Sequence, residues 1–156
     1  MSRYFIHYWS NRTWRSVFDR LAEGTSLIHT AGEQFRRRRV KTGDFIYVVT
    51  VVRGRLFLTG RMQVYRVLSQ REAETYLKDK NIWRASIHLV ARSNSATPIR
   101  LNRIVPLAVV QRLRFISGKA VKQPVFESPG RLYTQTFRTL REMTPDSAAE
   151  LNKLLK

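Results

Sequence analysis

Cysteine is absent from the chain, and histidine is scarce. Without cysteine, disulfides, thiolate metal sites and thiol nucleophiles are all excluded. The histidines, His7, His29 and His88, are far apart in sequence and lack the i, i+4 spacing of a helical zinc motif. We interpret them as structural or pocket residues unless the fold brings them together, and we expect no metal and no other cofactor.

Acidic residues are few: 11 Asp and Glu stand against 29 Lys and Arg, which gives a net charge of +18. So large an excess predicts an anionic partner, which could be nucleic acid, an anionic membrane face or an acidic protein. Arginine outweighs lysine, and its guanidinium group can bind phosphate with two parallel hydrogen bonds, so nucleic acid is favoured. The alternative is a ribosome-associated or simply very basic protein.

The shortage of acids also limits catalysis, which needs a base, paired carboxylates or metal ligands. We therefore expect a binding domain and not an enzyme. The alternative is a cryptic nuclease or base-modifying enzyme, in which Glu33, Asp44 and His29 converge in space.

Long apolar runs are missing as well. No run reaches the roughly 18 residues of a membrane span, and the N-terminus lacks the apolar core of a signal peptide. We expect a cytoplasmic protein without a membrane partner. Hydrophobic residues make up 43% of the 156 residues, enough for one core, so we expect a single domain over residues 1–156.

Runs of β-branched and aromatic residues predict a central hairpin with further strands around it. Arg53 and Gly54 form its predicted turn, and Gly60 indicates either a bulge or a close backbone approach in its second strand. Residues 119–129, rich in Pro, Ser and Lys, are predicted to be a loop. The predicted strands cover residues 3–9, 45–52, 55–68, 85–91 and 99–105, with a short extended piece at 27–30.

Helical spacing of apolar residues follows several of these strands. Asn11 is the predicted N-cap of a helix with Trp14, Val17, Phe18 and Leu21 on its apolar side, ending at Gly24. Strands and helices therefore mix, which predicts an α+β fold with a curved, mainly antiparallel sheet, flanked by helices and extended by C-terminal helices over 106–156. The other predicted helices cover residues 69–80, 107–113, 132–143 and the segment from 144 onward, and residues 31–38 are predicted to be a short helix or turn.

The tryptophans are the most informative aromatic residues. Trp9 and Trp14 bracket the polar turn that contains Ser10 and Asn11, and Trp83 precedes the strand at 85–91. Indole rings beside polar side chains supply the stacking and edge-directed hydrogen bonds that a nucleobase pocket requires. The alternative is that the tryptophans are core residues, which suits Trp14 on its apolar helix stripe better than Trp9.

A run of basic residues is the candidate phosphate-binding surface. A charge run is usually a solvated face, but consecutive arginines project charge in every direction and favour a nearby anion. The residues assigned to phosphate contact are Arg12, Arg15, Arg36, Arg37, Arg38, Arg39, Lys41, Arg100 and Arg103.

Three stretches resemble the EVE domain of the PUA-like superfamily: Tyr8-Trp9-Ser10-Asn11, Val40-Lys41-Thr42-Gly43-Asp44-Phe45-Ile46-Tyr47, and Leu58-Thr59-Gly60-Arg61-Met62-Gln63-Val64. The resemblance covers about residues 3–68. It implies a PUA-like β-barrel whose concave side accepts a flipped, often modified, base in an aromatic-lined pocket. Carried over to the matching positions, it assigns Trp9, Ser10, Asn11, His29, Thr30 and Phe35 to that pocket.

These observations lead to one preferred function and one alternative. The preferred function is a non-catalytic reader of a modified base, 5-substituted cytosine in DNA, working with a nuclease or modifying enzyme that acts in trans. The alternative is an RNA-binding PUA-like module that acts on tRNA or rRNA.

Overall fold

The computed structural model describes residues 1–20 and 24–156, which form an α+β fold. The strands are β1 (Tyr4–Tyr8), β2 (His29–Gly32), β3 (Phe45–Val52), β4 (Arg55–Leu68), β5 (Ile87–Ala91), β6 (Phe115–Ser117), β7 (Ala120–Lys122), β8 (Phe126–Ser128), β9 (Arg131–Leu132) and β10 (Arg141–Met143). The helices are α1 (Asn11–Arg20), α2 (Gln34–Arg37), α3 (Gln70–Leu77), α4 (Leu107–Arg112) and α5 (Pro145–Lys153), with a 3-10 helix at Thr134–Phe137.

The predicted central hairpin is confirmed. β3 and β4 pair antiparallel around Arg53 and Gly54, whose φ angles of 51° and 76° match the positive values of a type I′ turn. Val48 pairs with Gly60 and Val49 with Leu58, so Thr59 is the extra residue of a β-bulge next to Gly60.

The main sheet has the order β2-β5-β4-β3-β1-β10-β6-β7. The pair of β1 and β3 is parallel, and the other pairs in this sheet are antiparallel. The α+β class and the mainly antiparallel sheet are therefore as predicted. Within the described residues the order begins at β2 and ends at β7, and no closed barrel is detected.

Apolar residues cover both faces of the central strands. Tyr47 and Val49 belong to a cluster with α4 and α5, whereas Ile46 and Val48 belong to a second cluster with residues of α1, α2 and β5. Successive side chains of a strand point to opposite faces, so a strand buried on both sides reads as a continuous apolar run. The second cluster is the side on which the candidate site lies.

Several predicted elements are wrong. Residues 99–105 form no strand beyond an isolated bridge between Phe57 and Ile104, and residues 132–143 are not one helix but hold the end of β9, the 3-10 helix and β10. β10 is inserted between β1 and β6, so long-range pairing overrides its helical propensity. The predicted loop at 119–129 contains β7 and β8.

The N-terminal helices also begin differently from the prediction. The N-cap of α1 is Ser10, whose Oγ accepts from the Thr13 backbone N–H at 3.2 Å, while Asn11 is the first helical residue. The predicted end of that helix, with Leu21, lies outside the described residues. Ala31 and Gly32 belong to β2 because they pair with β5, so α2 is shorter than predicted. None of the helices in residues 1–20 and 24–156 combines the length and apolarity needed to cross a bilayer.

Candidate functional site

Two cavities meet at Trp9 and Trp83, and together they form what we call the tryptophan cleft. The first cavity has a volume of about 210 Å³ and the second of about 240 Å³. Both are smaller than the roughly 300–1,000 Å³ of sites for drug-sized ligands, so each suits one small ring system. The first is lined by Trp9, Val17, Arg20, Thr25, Ser26, Leu27, Ile28, His29, Leu77, Asp79, Ile82, Trp83 and Ile99. The second is lined by His7, Tyr8, Trp9, Ser10, Thr13, Ala31, Gly32, Glu33, Trp83, Arg84 and Ala85.

Trp9 is a fixed wall of the cleft. It follows β1, and its backbone N–H donates to the Val49 carbonyl at 2.8 Å, which continues the parallel pairing with β3. Its side chain is 3% exposed, and its indole Nε1–H donates to Thr30 Oγ1 at 3.0 Å. Trp9 is therefore a core residue that contributes part of its ring surface to the cleft, with its one polar atom already bonded.

Trp83 is the more accessible wall. It lies half-buried in the segment between α3 and β5, with its ring edge-on to Trp9 at 6.1 Å between centroids and 87° between planes. His29 lies tilted against the same indole at 5.0 Å. Edge-to-face and tilted packing are preferred geometries for aromatic pairs, and the half-buried Trp83 and His29 keep part of their ring surface exposed.

His29 and His88 form a hydrogen-bonded pair beside Trp83. In the pairing of β2 with β5, His29 lies opposite Val90 and His88 opposite Ala31, so the two histidines are diagonal neighbours. Their rings are 5.1 Å apart and nearly parallel, and His29 Nε2 is 2.8 Å from His88 Nδ1. The fold thus brings together two histidines that are far apart in sequence.

Burial keeps these histidines neutral. Burial, then the charges of His88 and Arg20, lower the pKa of His29 to about 4, and Asp79 acts in the opposite direction. Burial also lowers the pKa of His88, and it lowers the pKa of His7, on the second cavity, to about 4. At neutral pH these imidazoles are therefore uncharged, and each has one nitrogen that donates and one that accepts a hydrogen bond.

Basic side chains surround the cleft. Arg20 lines the first cavity and pairs with Asp79 at 3.4 Å, and Arg84 lines the second. Arg12 and Arg15 are exposed on α1, one turn apart, and Arg12 lies between the cavity-lining Ser10 and Thr13. These positions place positive charge at both cavities.

The arginine run follows the second cavity. Glu33, which lines the second cavity, is the N-cap of α2. Arg36 and Arg37 are exposed in the same helix and lie close to Glu33, because a helix rises only roughly 1.5 Å per residue. Arg39 is also exposed, whereas Arg38 is half-buried. The carbonyl oxygens of Arg38 and Arg39 accept from the Arg3 guanidinium, which fixes the backbone of the run.

The other predicted phosphate contacts differ in how accessible they are. Lys41 is exposed. Arg100 is half-buried and donates to the Ile99 carbonyl at 3.3 Å. Arg103 donates to the Leu58 and Thr59 carbonyls at 3.1 and 3.3 Å, and its burial and Arg100 lower its pKa. Arg103 thus supports the β-bulge with its guanidinium.

Several predicted pocket residues lie outside the cleft lining. Thr30 and Phe35 are buried behind it, the former as acceptor for Trp9 and the latter edge-on to His7. Asn11 accepts from Thr50 Oγ1 at 3.0 Å. Trp14 lines neither cavity, and its indole N–H is buried without a partner within the described residues.

Sequence reasoning missed Arg20, Asp79 and Arg84, which had no signal beyond their charge. It also missed the pairing of His88 with His29, because that pairing depends on the register of β2 against β5.

The acids considered for catalysis have separate structural partners. Asp44 is buried and accepts from the backbone N–H groups of Arg3 and Lys41. Glu33 accepts from the backbone N–H of Ser86 at 2.8 Å and from its hydroxyl, and these bonds lower its pKa. Within residues 1–20 and 24–156 no group of three His, Cys, Asp or Glu side chains is arranged to hold a metal ion.

Compared with protein-family models and with curated proteins, the chain gives no match. Its function must therefore be inferred from the residues of the cleft and its surroundings.

Proposed function

We propose that this protein binds nucleic acid and holds one extruded base, a 5-substituted cytosine in DNA, in the tryptophan cleft. The observation that carries the proposal is the wall formed by Trp9, Trp83 and His29 next to exposed arginines. Neutral aromatic rings stack on a base, and arginines bind the phosphates on either side of it. The net charge of +18 supports a polyanionic partner.

The energies indicate that the cleft and the surrounding arginines have different roles. Extruding a base costs a few kcal/mol, and stacking on aromatic side chains returns about 1 to 3 kcal/mol per base. The cleft alone therefore roughly balances the extrusion cost. Net affinity must come from phosphate contacts, and selectivity from the cleft.

The resemblance of residues 3–68 to the EVE domain supports the same proposal. It implies a pocket near the segments around Trp9 and His29, and we propose that the sheet belongs to the PUA-like class. A reader of this kind supplies recognition only, so we further propose that a nuclease or modifying enzyme acts in trans.

A competition titration tests the proposal. The probes are one DNA sequence with cytosine, 5-methylcytosine or 5-hydroxymethylcytosine at one position, and a structured RNA of equal length, at two salt concentrations. We expect binding that weakens steeply with salt and prefers one modified DNA. Tighter binding to the RNA without preference among the DNAs would favour an RNA-binding module, and no binding to any probe would refute the proposal.

Two tryptophan variants identify the pocket. Trp83→Ala removes the accessible wall and should abolish the preference for modified DNA while leaving salt-sensitive binding. Trp14→Ala is the matched control, because Trp14 is also half-buried but lines neither cavity. Equal loss of preference in both variants would contradict a pocket at Trp83.

A further inference from the structure

A polar chain leads from α3 to the wall of the first cavity. Glu74 Oε2 accepts from Gln70 Nε2 at 3.0 Å, Gln70 Oε1 lies 2.6 Å from His88 Nε2, and His88 Nδ1 lies 2.8 Å from His29 Nε2. His29 is the last member and the one that lines the cavity. The hydrogen positions along this chain decide what His29 offers to a ligand.

The amide of Gln70 sets the direction of the chain. Gln70 Oε1 also accepts from the Ala85 backbone N–H at 3.0 Å, and the Glu74 carboxylate can only accept from Gln70. With the amide reversed, the Ala85 N–H would face the amide NH₂ group, and the Glu74 carboxylate would face the amide oxygen. The atom facing His88 is therefore an oxygen, which can only accept.

The proton positions of both histidines follow from this. His88 must donate from Nε2 to Gln70, and since a neutral imidazole carries one N–H, His88 Nδ1 is an acceptor. His29 must then donate from Nε2 to His88. The remaining nitrogen, His29 Nδ1, carries a lone pair, and within the described residues it makes no hydrogen bond.

We infer that His29 Nδ1 is the specificity-determining acceptor of the first cavity, selecting a base that presents an amino group over one that presents a carbonyl. The inference rests on the proposed function and deepens it. Cytosine carries an amino donor where thymine carries a carbonyl oxygen. Held at His29, the amino group gains a hydrogen bond, whereas the carbonyl oxygen faces a second lone pair.

The best pair of probes is 5-methylcytosine and thymine, because both carry the 5-methyl group. Each is placed opposite an abasic position in the same duplex, so that neither base has to break a pair before it is extruded. We expect the wild-type protein to bind the 5-methylcytosine duplex roughly tenfold more tightly, the scale of one base-edge contact. Equal binding to both duplexes would overturn the inference and leave nucleic-acid binding intact, whereas no binding to either would remove the proposed function and the inference with it.

Variants and a spectrum assign the effect to His29. His29→Phe keeps an aromatic ring without nitrogen and should bring the two affinities within about twofold of each other, far below the tenfold base-edge contact. Trp14→Phe, a change at a half-buried aromatic residue that lines neither cavity and lies outside the polar chain, should keep the preference. Retention of the preference in His29→Phe would overturn the assignment.

A measurement on the unliganded wild-type protein covers the case in which His29→Phe does not fold. In an imidazole nitrogen–proton correlation spectrum at neutral pH, we expect the proton on Nε2 of both His29 and His88. A proton on His29 Nδ1 would overturn the inference whatever the binding data show.

Discussion

Arg39, Arg53 and Lys78 have left-handed backbone conformations that usually favour glycine, with φ of 54°, 51° and 55°. Arg39 and Lys78 lie at the C-terminal ends of α2 and α3. At each end, backbone N–H groups donate to carbonyls of the last helical turn, as in a Schellman motif. A side chain in this conformation costs roughly 1 kcal/mol relative to the right-handed region. Termination of the helix accounts for the conformation at both positions.

Glycine substitutions separate strain from binding at these two positions. Arg39→Gly and Lys78→Gly should each leave the free energy of unfolding unchanged or raise it by up to about 1 kcal/mol, because relief of strain is partly offset by the entropy of glycine in the unfolded chain. Urea titration measures this. Arg39→Gly should also weaken DNA binding severalfold, whereas Arg53→Gly, in the β3–β4 turn and outside both cavity linings, should not. Equal weakening by Arg39→Gly and Arg53→Gly would mean that general charge, and not the arginine run, governs affinity.

Residue identity predicted the cleft only in part. Trp9 and Trp83 could be named because indole rings beside polar residues suit a base pocket, whereas His29 was assigned only through the resemblance to the EVE domain. Their roles could not be predicted from residue type. The Trp9 indole N–H is bonded to Thr30, and His29 is hydrogen-bonded to His88, and both contacts join residues that are far apart in the sequence. Such contacts depend on strand register, which residue type alone does not determine.

Elements with local signals were predictable. The β3–β4 hairpin follows from its turn residues, and α3 follows from Ser69 and Glu72, which form a complete capping box. β10 has no such signal. Its residues are a strand because β1 and β6 flank them, and this pairing joins the last third of the chain to the first strand.

The capping box of α3 can be tested directly. Ser69→Ala removes the acceptor of the Glu72 backbone N–H and should lower the free energy of unfolding by about 1 kcal/mol. The control is Thr75→Ala in the same helix, because the Thr75 hydroxyl only donates back to the Arg71 carbonyl, an arrangement that adds little to helix stability. Urea unfolding of the two variants should differ accordingly, and equal stabilities would show that α3 is held by packing alone.

At the scale of the whole molecule, the excess of positive charge is general but the proposed binding surface is local. The sheet has β2 and the tryptophan cleft towards one end of its strand order and β7 at the other. Basic residues occur at both ends: Arg36 and Arg37 in α2 after β2, and Lys119 and Lys122 around β7, all exposed. The two pairs can therefore be compared, because Arg36 and Arg37 are proposed to contact phosphate whereas Lys119 and Lys122 are not.

The salt dependence of DNA binding distinguishes these two sets. Each phosphate contact contributes about 0.9 to the slope of log K against log salt for duplex DNA, because a counterion is released when the contact forms. Replacing Arg36 and Arg37 together with Gln should lower that slope by about 1.8, whereas replacing Lys119 and Lys122 with Gln should hardly change it. Binding titrations at several salt concentrations measure both slopes. If the two double variants lose the same slope, the DNA is held by diffuse charge over the whole surface, and the cleft end of the sheet has no special part in affinity.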